Sequence, residues 1–187
     1  MTVLPEELPG AALVLRRWRL PMAGEMARAI ERSALELQRW MPWARDDVSR
    51  AQLEHILIEL EASFDNDTEW NYAIVETASE ELVGSCGLQR VGDPLCPEIG
   101  YWIRSDRTGR GYATMSAGAL ARTAFQFLED LERIKIRMDQ ANLASAAVPP
   151  KLGFTLDHEE DREIVTSGHT GRGFVWILRR GDWDSST

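Results

Sequence analysis

Glu98-Ile-Gly-Tyr-Trp-Ile-Arg-Ser-Asp-Arg-Thr-Gly-Arg-Gly-Tyr-Ala113 is the stretch whose reading decides the fold. Its first half, through Arg104, is rich in the β-branched and aromatic residues of a strand. Its second half places Gly109 and Gly111 two apart and then runs into helix-forming residues. From about Ala113 to Leu128, the positions Ala113, Ala117, Leu120, Ala121 and Ala124 recur at helical spacing. Arg133 to Asp139 then alternates, with Ile134, Ile136 and Met138 apolar, which predicts another strand. The centre of the chain is therefore strand, glycine loop, helix, strand. Glycine lets a backbone approach a ligand closely. The first N–H groups of a helix have no internal partner and carry partial positive charge. Together they make a cradle for an anion such as a pyrophosphate. A G-x-G turn alone is equally an ordinary strand-to-helix connection. No G-K-S/T follows it, so it is not a Walker loop, and no third glycine completes the dinucleotide pattern.

Working outward, Leu13 to Trp18 reads as a first strand. Met22 to Gln38 reads as one helix, with Met22, Met26, Ala29, Ile30, Ala34 and Leu37 on its apolar face. Trp40-Met-Pro-Trp43 breaks it, because Pro42 cannot continue a helix. Ser49 with Gln52 is a capping box for a second helix, whose apolar face is Leu53, Ile56, Leu57, Leu60 and Phe64. Trp70 to Val75 and Leu82 to Leu88 read as strands joined by a polar turn. Phe154 to Glu163 and Gly173 to Arg179 complete the count. The order predicts a mixed α/β domain, one unit spanning residues 1–187.

Further ordered segments accompany the glycine loop: Asp139-Gln-Ala-Asn-Leu-Ala-Ser145, then Lys151-Leu-Gly-Phe154, with Trp40-Met-Pro-Trp-Ala44 early in the chain. The set resembles the GNAT superfamily of N-acetyltransferases. Within it, the chain looks like the RimJ/RimL branch of ribosomal-protein N-terminal acetyltransferases, from about Leu13 to Trp183. The resemblance implies a mixed, mostly antiparallel central sheet flanked by helices. It implies acetyl-coenzyme A as cosubstrate and transfer of acetyl to a primary amine. The acceptor would be a protein N-terminus or a small amine.

The same resemblance implies roles for particular residues. Gly109, Arg110, Gly111, Tyr112 and Ala113 would hold the pyrophosphate of coenzyme A through their backbone N–H groups. Trp102 and Ile103 would pair their main chains with the pantetheine arm, and an N–H near Ile103 would polarise the thioester carbonyl. Asn142 would bind the same arm. Ser145 matches the position that protonates the departing thiolate; on its own it also reads as a cap of the short helix after Asn142. Glu98 would serve as general base through water, or sit at the surface as a charge partner. Glu163 is a second candidate base, and His169, in a glycine-rich loop, a third and weaker one. Trp40 and Trp43 would overhang the acceptor, with ordinary packing the competing account of either ring. Two departures stand out: Thr108 replaces the family's usual Arg or Gln, and Val148-Pro149-Pro150 falls where the family has a helix. The prolines predict that this helix is truncated.

The remaining features bound the answer. No apolar run approaches the roughly 20 residues of a membrane helix, and Met1 to Gly10 lacks the pattern of a secretory signal, so the expected compartment is the cytoplasm. Cys86 and Cys96 make no disulfide framework, and no Cys/His set has metal-ligand spacing, so no metal is expected. A cysteine could carry acetyl covalently, although a buried cysteine is commonly only a small apolar residue. The net charge of -9 argues against nucleic acid and favours a cationic partner; solubility explains it equally. A monomer and a homodimer both fit. Two other function classes remain: a coenzyme A-binding sensor without turnover, favoured by Pro149-Pro150, and a nucleotide-binding protein.

Overall fold

The computed structural model describes residues 3–44 and 49–184, with the side chain of Asp184 left aside. Eight strands form one sheet: β1 (Glu7–Leu8), β2 (Leu13–Arg17), β3 (Glu69–Glu76), β4 (Leu82–Gln89), β5 (Glu98–Ile103), β6 (Arg133–Asp139), β7 (Thr155–Asp161) and β8 (Arg172–Arg179). They lie in the order β1-β2-β3-β4-β5-β6-β8-β7. Every neighbouring pair is antiparallel except β5 with β6.

Both faces of the sheet are covered, which the alternation of β3 makes plain. Tyr72 and Ile74 belong to the core under helix α4 (Tyr112–Phe127), together with Ala117, Leu120, Ala121 and Ala124. Ala73 and Val75 face the opposite way, into a second core with α1 (Ala23–Glu31) and α3 (Arg50–Asp65). Period-two side chains on a strand buried on both faces produce this division. The capping box forms as expected: Gln52 N–H donates to Ser49 Oγ at 3.3 Å, and Ser49 N–H donates to Gln52 Oε1 at 2.7 Å.

One expected helix is two. Met22 to Gln38 divides into α1 and α2 (Ala34–Trp40) around Ser33. Ser33 is buried, and its hydroxyl accepts the N–H of Ser105 at 2.9 Å. This long-range bond outweighs a helical periodicity that no local residue interrupts, and it turns α2 so that Trp40 reaches the end of β5. The proline pair acts as anticipated. The short helix α5 (Leu143–Ala146) stops after four residues, and Pro149–Leu152 follow as a 3-10 turn that begins on the two prolines. The C-terminal segment Arg180–Asp184 forms α6.

The feature that positions the site is a splay. β5 and β6 share one register pair, Glu98 with Lys135, where Lys135 N–H donates to Pro97 O at 3.0 Å. Beyond it the two strands part. Arg104 N–H donates to Val83 O at 2.7 Å. Alternation along an antiparallel pair therefore assigns the main-chain groups of Trp102 and Gly100 to β4. Those of Ile99, Tyr101 and Ile103 point the other way, toward the gap.

Candidate active site

The gap holds two adjoining cavities. One, of about 360 Å³, runs from the glycine loop along β5 to α5. The other, of about 490 Å³, lies between β5, β6, the end of β7 and the loop before β8. Trp40, Met41, Tyr101, Asn142 and Ser145 line both.

The smaller cavity has the chemistry of an anion cradle at one end. Gly111 is the N-cap of α4, with φ +79°, and no side chain caps the helix. Its first N–H groups are therefore left for a ligand, and no acidic residue in the first turn opposes an anion. The left-handed φ at Gly109 and Gly111 costs glycine little and other residues about 1–2 kcal/mol. The loop is tied down from outside. Tyr112 Oη donates to the Glu76 carboxylate, and Arg110 Nη1 stands 3.5 Å from the same group. Hydrogen bonds from Ser79 and Tyr112 hold the Glu76 carboxyl below its ordinary range. Arg104, almost fully buried, fixes the end of β5 through Leu82 O, Glu81 and Asp106. Lys151 lines this cavity and forms no ion pair among the described residues.

At the far end, Asn142 is the N-cap of α5, and its Oδ1 accepts the Ser145 N–H at 3.1 Å. The capping role belongs to Asn142, so Ser145 Oγ is available elsewhere. It lies 3.2 Å from Tyr101 Oη.

The larger cavity is floored by charge. Arg137 Nε donates to Glu98 Oε2 at 2.7 Å, and Arg137 Nη1 lies 3.6 Å from Glu160 Oε1. Arg162 Nε is 3.9 Å from the same oxygen, which is buried and accepts no hydrogen bond. Glu163 and His169 also line this cavity. The loop before β8 is clamped to α2: Thr166 Oγ1 and Gly168 N–H both donate to Arg39 O, at 2.7 and 3.0 Å, and His169 Nε2 lies 3.3 Å from Trp40 O. Asp139 holds the other end of that loop by accepting from Thr170 N–H, Thr170 Oγ1 and Ala141 N–H. Burial pushes its carboxyl up, but these bonds outweigh burial and leave it lowered.

A family profile described as "Acetyltransferase (GNAT) domain" matches residues 12–155. The chain belongs to the GNAT acetyltransferase family. YdaF of Bacillus subtilis (strain 168), a proposed ribosomal N-acetyltransferase, is 33% identical over 88 residues, 46% of this chain. The aligned part is 47% of that relative, about half its length. A RimL ribosomal alpha-N-protein acetyltransferase in complex with coenzyme A superposes with a TM-score of 0.85 at 19% identity, covering 93% of this chain and 98% of the other. The microcin C7 self-immunity acetyltransferase MccE, in complex with acetyl-CoA and AMP, gives 0.82 at 16% identity, covering 91% and 93%. These two likenesses are of fold.

Seen as a GNAT domain, the structure gathers most of the anticipated residues. Gly109, Gly111, Tyr112, Ala113, Trp102, Ile103, Asn142 and Ser145 line the smaller cavity; Glu98 and Glu163 line the larger. Two placements differ from expectation. The main chain of Trp102 is committed to the ladder with Ser85, so only its indole faces the cavity, and Tyr101 supplies the second free main-chain position beside Ile103. Arg110 turns its side chain to Glu76 and lines neither cavity, which leaves the expected contact, its main-chain N–H, unaffected. Trp43 also lines neither; its ring packs on Trp102 at 6.2 Å between centroids, and Trp40 alone overhangs the site. Sequence reasoning missed Tyr101, Arg137, Asp139 and Glu160. Tyr101 stands inside the quoted strand motif, and only the pleat decides which of its residues face the gap. Among the described residues no helix is long and apolar enough to cross a membrane, and no group of three or more His, Cys, Asp or Glu residues could hold a metal ion. Cys86 and Cys96 are free and buried, and burial pushes the Cys86 thiol up to about 12.

Proposed function

We propose that this chain transfers acetyl from acetyl-coenzyme A directly to a primary amine, as one acetyltransferase unit over residues 1–187. The observation that carries the reading is the junction of the two cavities at Trp40, Met41, Tyr101, Asn142 and Ser145. A ligand lying along β5, with its anion at the α4 N-terminus, brings its far end to this junction. Pyrophosphate at Gly109–Ala113 and a thioester beside Ser145 fit that path. The N–H groups of Tyr101 and Ile103 face the gap, which supports a role in holding the thioester carbonyl and pantetheine amides.

The amine enters through the larger cavity. Its carboxylates, Glu98, Asp139, Glu160, Asp161 and Glu163, outnumber the two arginines, Arg137 and Arg162, which favours an ammonium. An ammonium must lose a proton before attack. Glu98 takes it through water; its Oε2 is engaged by Arg137, which leaves Oε1 for the work. Glu163 is the alternative acceptor. After attack, Ser145 gives its proton to the departing sulfur. Two acceptor types fit the cavity, a protein α-amine, as the name of the RimL relative gives for that enzyme, and a small-molecule amine. The cytoplasm supplies acetyl-coenzyme A to either, and the unit works as a monomer or a homodimer. Truncation of α5 leaves Ser145 at the junction, so the proline pair gives no support to a sensor without turnover.

Thiol release from acetyl-coenzyme A, measured against N-terminal peptides and small amines, tests this. The reading expects release that depends on one acceptor and falls at least about 100-fold in Ser145→Ala and in Glu98→Gln. Wild-type rates in both variants would refute the assigned roles.

A further inference from the structure

The junction holds a phenol that needs a role of its own. Tyr101 Oη is 3.2 Å from Ser145 Oγ and 3.2 Å from Ser145 O. A carbonyl oxygen only accepts, so a bond to Ser145 O uses the phenol's single proton. The contact with Oγ must then be donated by the serine, whose proton points at Tyr101 and away from the thioester. In the other arrangement the phenol donates to Oγ, and the serine proton is free to face the cleft. The two distances are equal, so rotating both O–H bonds, with the heavy atoms where they are, exchanges the arrangements. Burial pushes the Tyr101 hydroxyl well above the ordinary tyrosine range, so it stays protonated throughout.

Resting on the Ser145 reading above, we propose that Tyr101 is a positioning residue that aims the Ser145 proton at the leaving sulfur. The amine nitrogen bonds to the acetyl carbon. The C–S bond then breaks, and its electron pair goes to sulfur. Ser145 O–H passes its proton to that sulfur, while Tyr101 O–H turns from Ser145 O to Ser145 Oγ and stabilises the oxygen left behind. The nitrogen, on becoming an amide, sheds one proton, which restores the serine. Counted from the neutral amine, nitrogen has lost one hydrogen and sulfur has gained one; the earlier ammonium proton passes from Glu98 to water, and Tyr101 ends as it began.

The test needs no acceptor. Coenzyme A itself is bound to the full chain, and its thiol is titrated by the ultraviolet absorbance of the thiolate. A donor aimed at sulfur favours the thiolate. In Tyr101→Phe the bound thiol is expected to titrate about one pH unit higher than in the wild type. Ser145→Ala is expected to give the same displacement, and the double variant no further one, because both act through one contact. Replacing Tyr101 by a fluorinated tyrosine, a stronger donor that keeps the ring and hydroxyl, is expected to move the titration down; it also serves if Tyr101→Phe fails to fold. A displacement in Ser145→Ala with none at Tyr101, or two displacements that add, overturns the role of Tyr101 and leaves that of Ser145 standing. No displacement in Ser145→Ala overturns the parent reading and this inference with it.

Discussion

Adding one methyl group at Gly168 separates the wall of the acceptor cavity from helix α2. A Cβ at this position would lie 2.4 Å from Arg39 O and 2.9 Å from Trp40 Cε3. Ordinary contact begins near ~3.5 Å, so the loop must retreat by about 1 Å. Gly168 N–H, Thr166 Oγ1 and His169 Nε2 all meet the main chain of Arg39 or Trp40 there, at 3.0, 2.7 and 3.3 Å. Each bond is worth about 1 kcal/mol net, and all three weaken together. Gly168→Ala should therefore destabilise the docked loop by about 2–3 kcal/mol, close to a 100-fold change in its opening equilibrium. Hydrogen exchange at the Gly168 amide reads that change directly. Acceptor KM should rise in the same variant. Coenzyme A affinity, by calorimetry, should stay within about twofold, since no residue of this loop lines the smaller cavity. Unchanged exchange at Gly168, or lost coenzyme A binding with intact acceptor KM, would refute the assignment of the two cavities.

Asp139→Ala should cost about 2–3 kcal/mol in chemical denaturation, because three donors lose a buried carboxylate. The Asp139 carboxyl is lowered in the folded state, so its contribution is present above the unfolded value of about 3.9 and is lost as pH falls through the folded one. The difference from wild type should be full at about pH 6 and shrink on acidification below about pH 4. Gly111→Ala should lose about 1–2 kcal/mol of stability from its φ of +79° alone, since a Cβ there meets nothing nearer than Met115 Cε at 3.9 Å. Its coenzyme A affinity should fall further, as the strained loop turns its N–H groups away from the phosphates. Cys86 should resist alkylation at about pH 8 in the native protein and react once denatured, since burial holds its thiol at about 12.

The elements were legible where periodicity and local chemistry agree. The stripe of α4, the alternation of β6 and the Ser49–Gln52 cap are all visible as patterns, and each forms. The break at Ser33 was not, because the bond that makes it comes from Ser105, far along the chain. The two-residue β1 is too short to show any period. The site divides in the same way. Gly109 and Gly111 announce a backbone conformation, and a motif can carry that. Arg137 looks like one more polar residue on a strand, and only the pairing of β6 beside β5 brings it to Glu98. Glu160 was hidden similarly, since the register of β7 against β8 sets it opposite Gly173 and within reach of Arg137. Trp40 and Trp43 look alike in sequence, and the turn after α2 sends only the first over the site.

The most direct test of the central claim follows the acetyl group itself. Acetyl-coenzyme A labelled in its acetyl carbons is incubated with the chain and a panel of peptide and small-molecule amines, and every product is read by mass spectrometry. The account predicts label on the nitrogen of an amine, in step with free thiol and with none retained on the protein. Label held on Cys86 or Cys96, or released only as acetate across the whole panel, would contradict direct transfer to an amine.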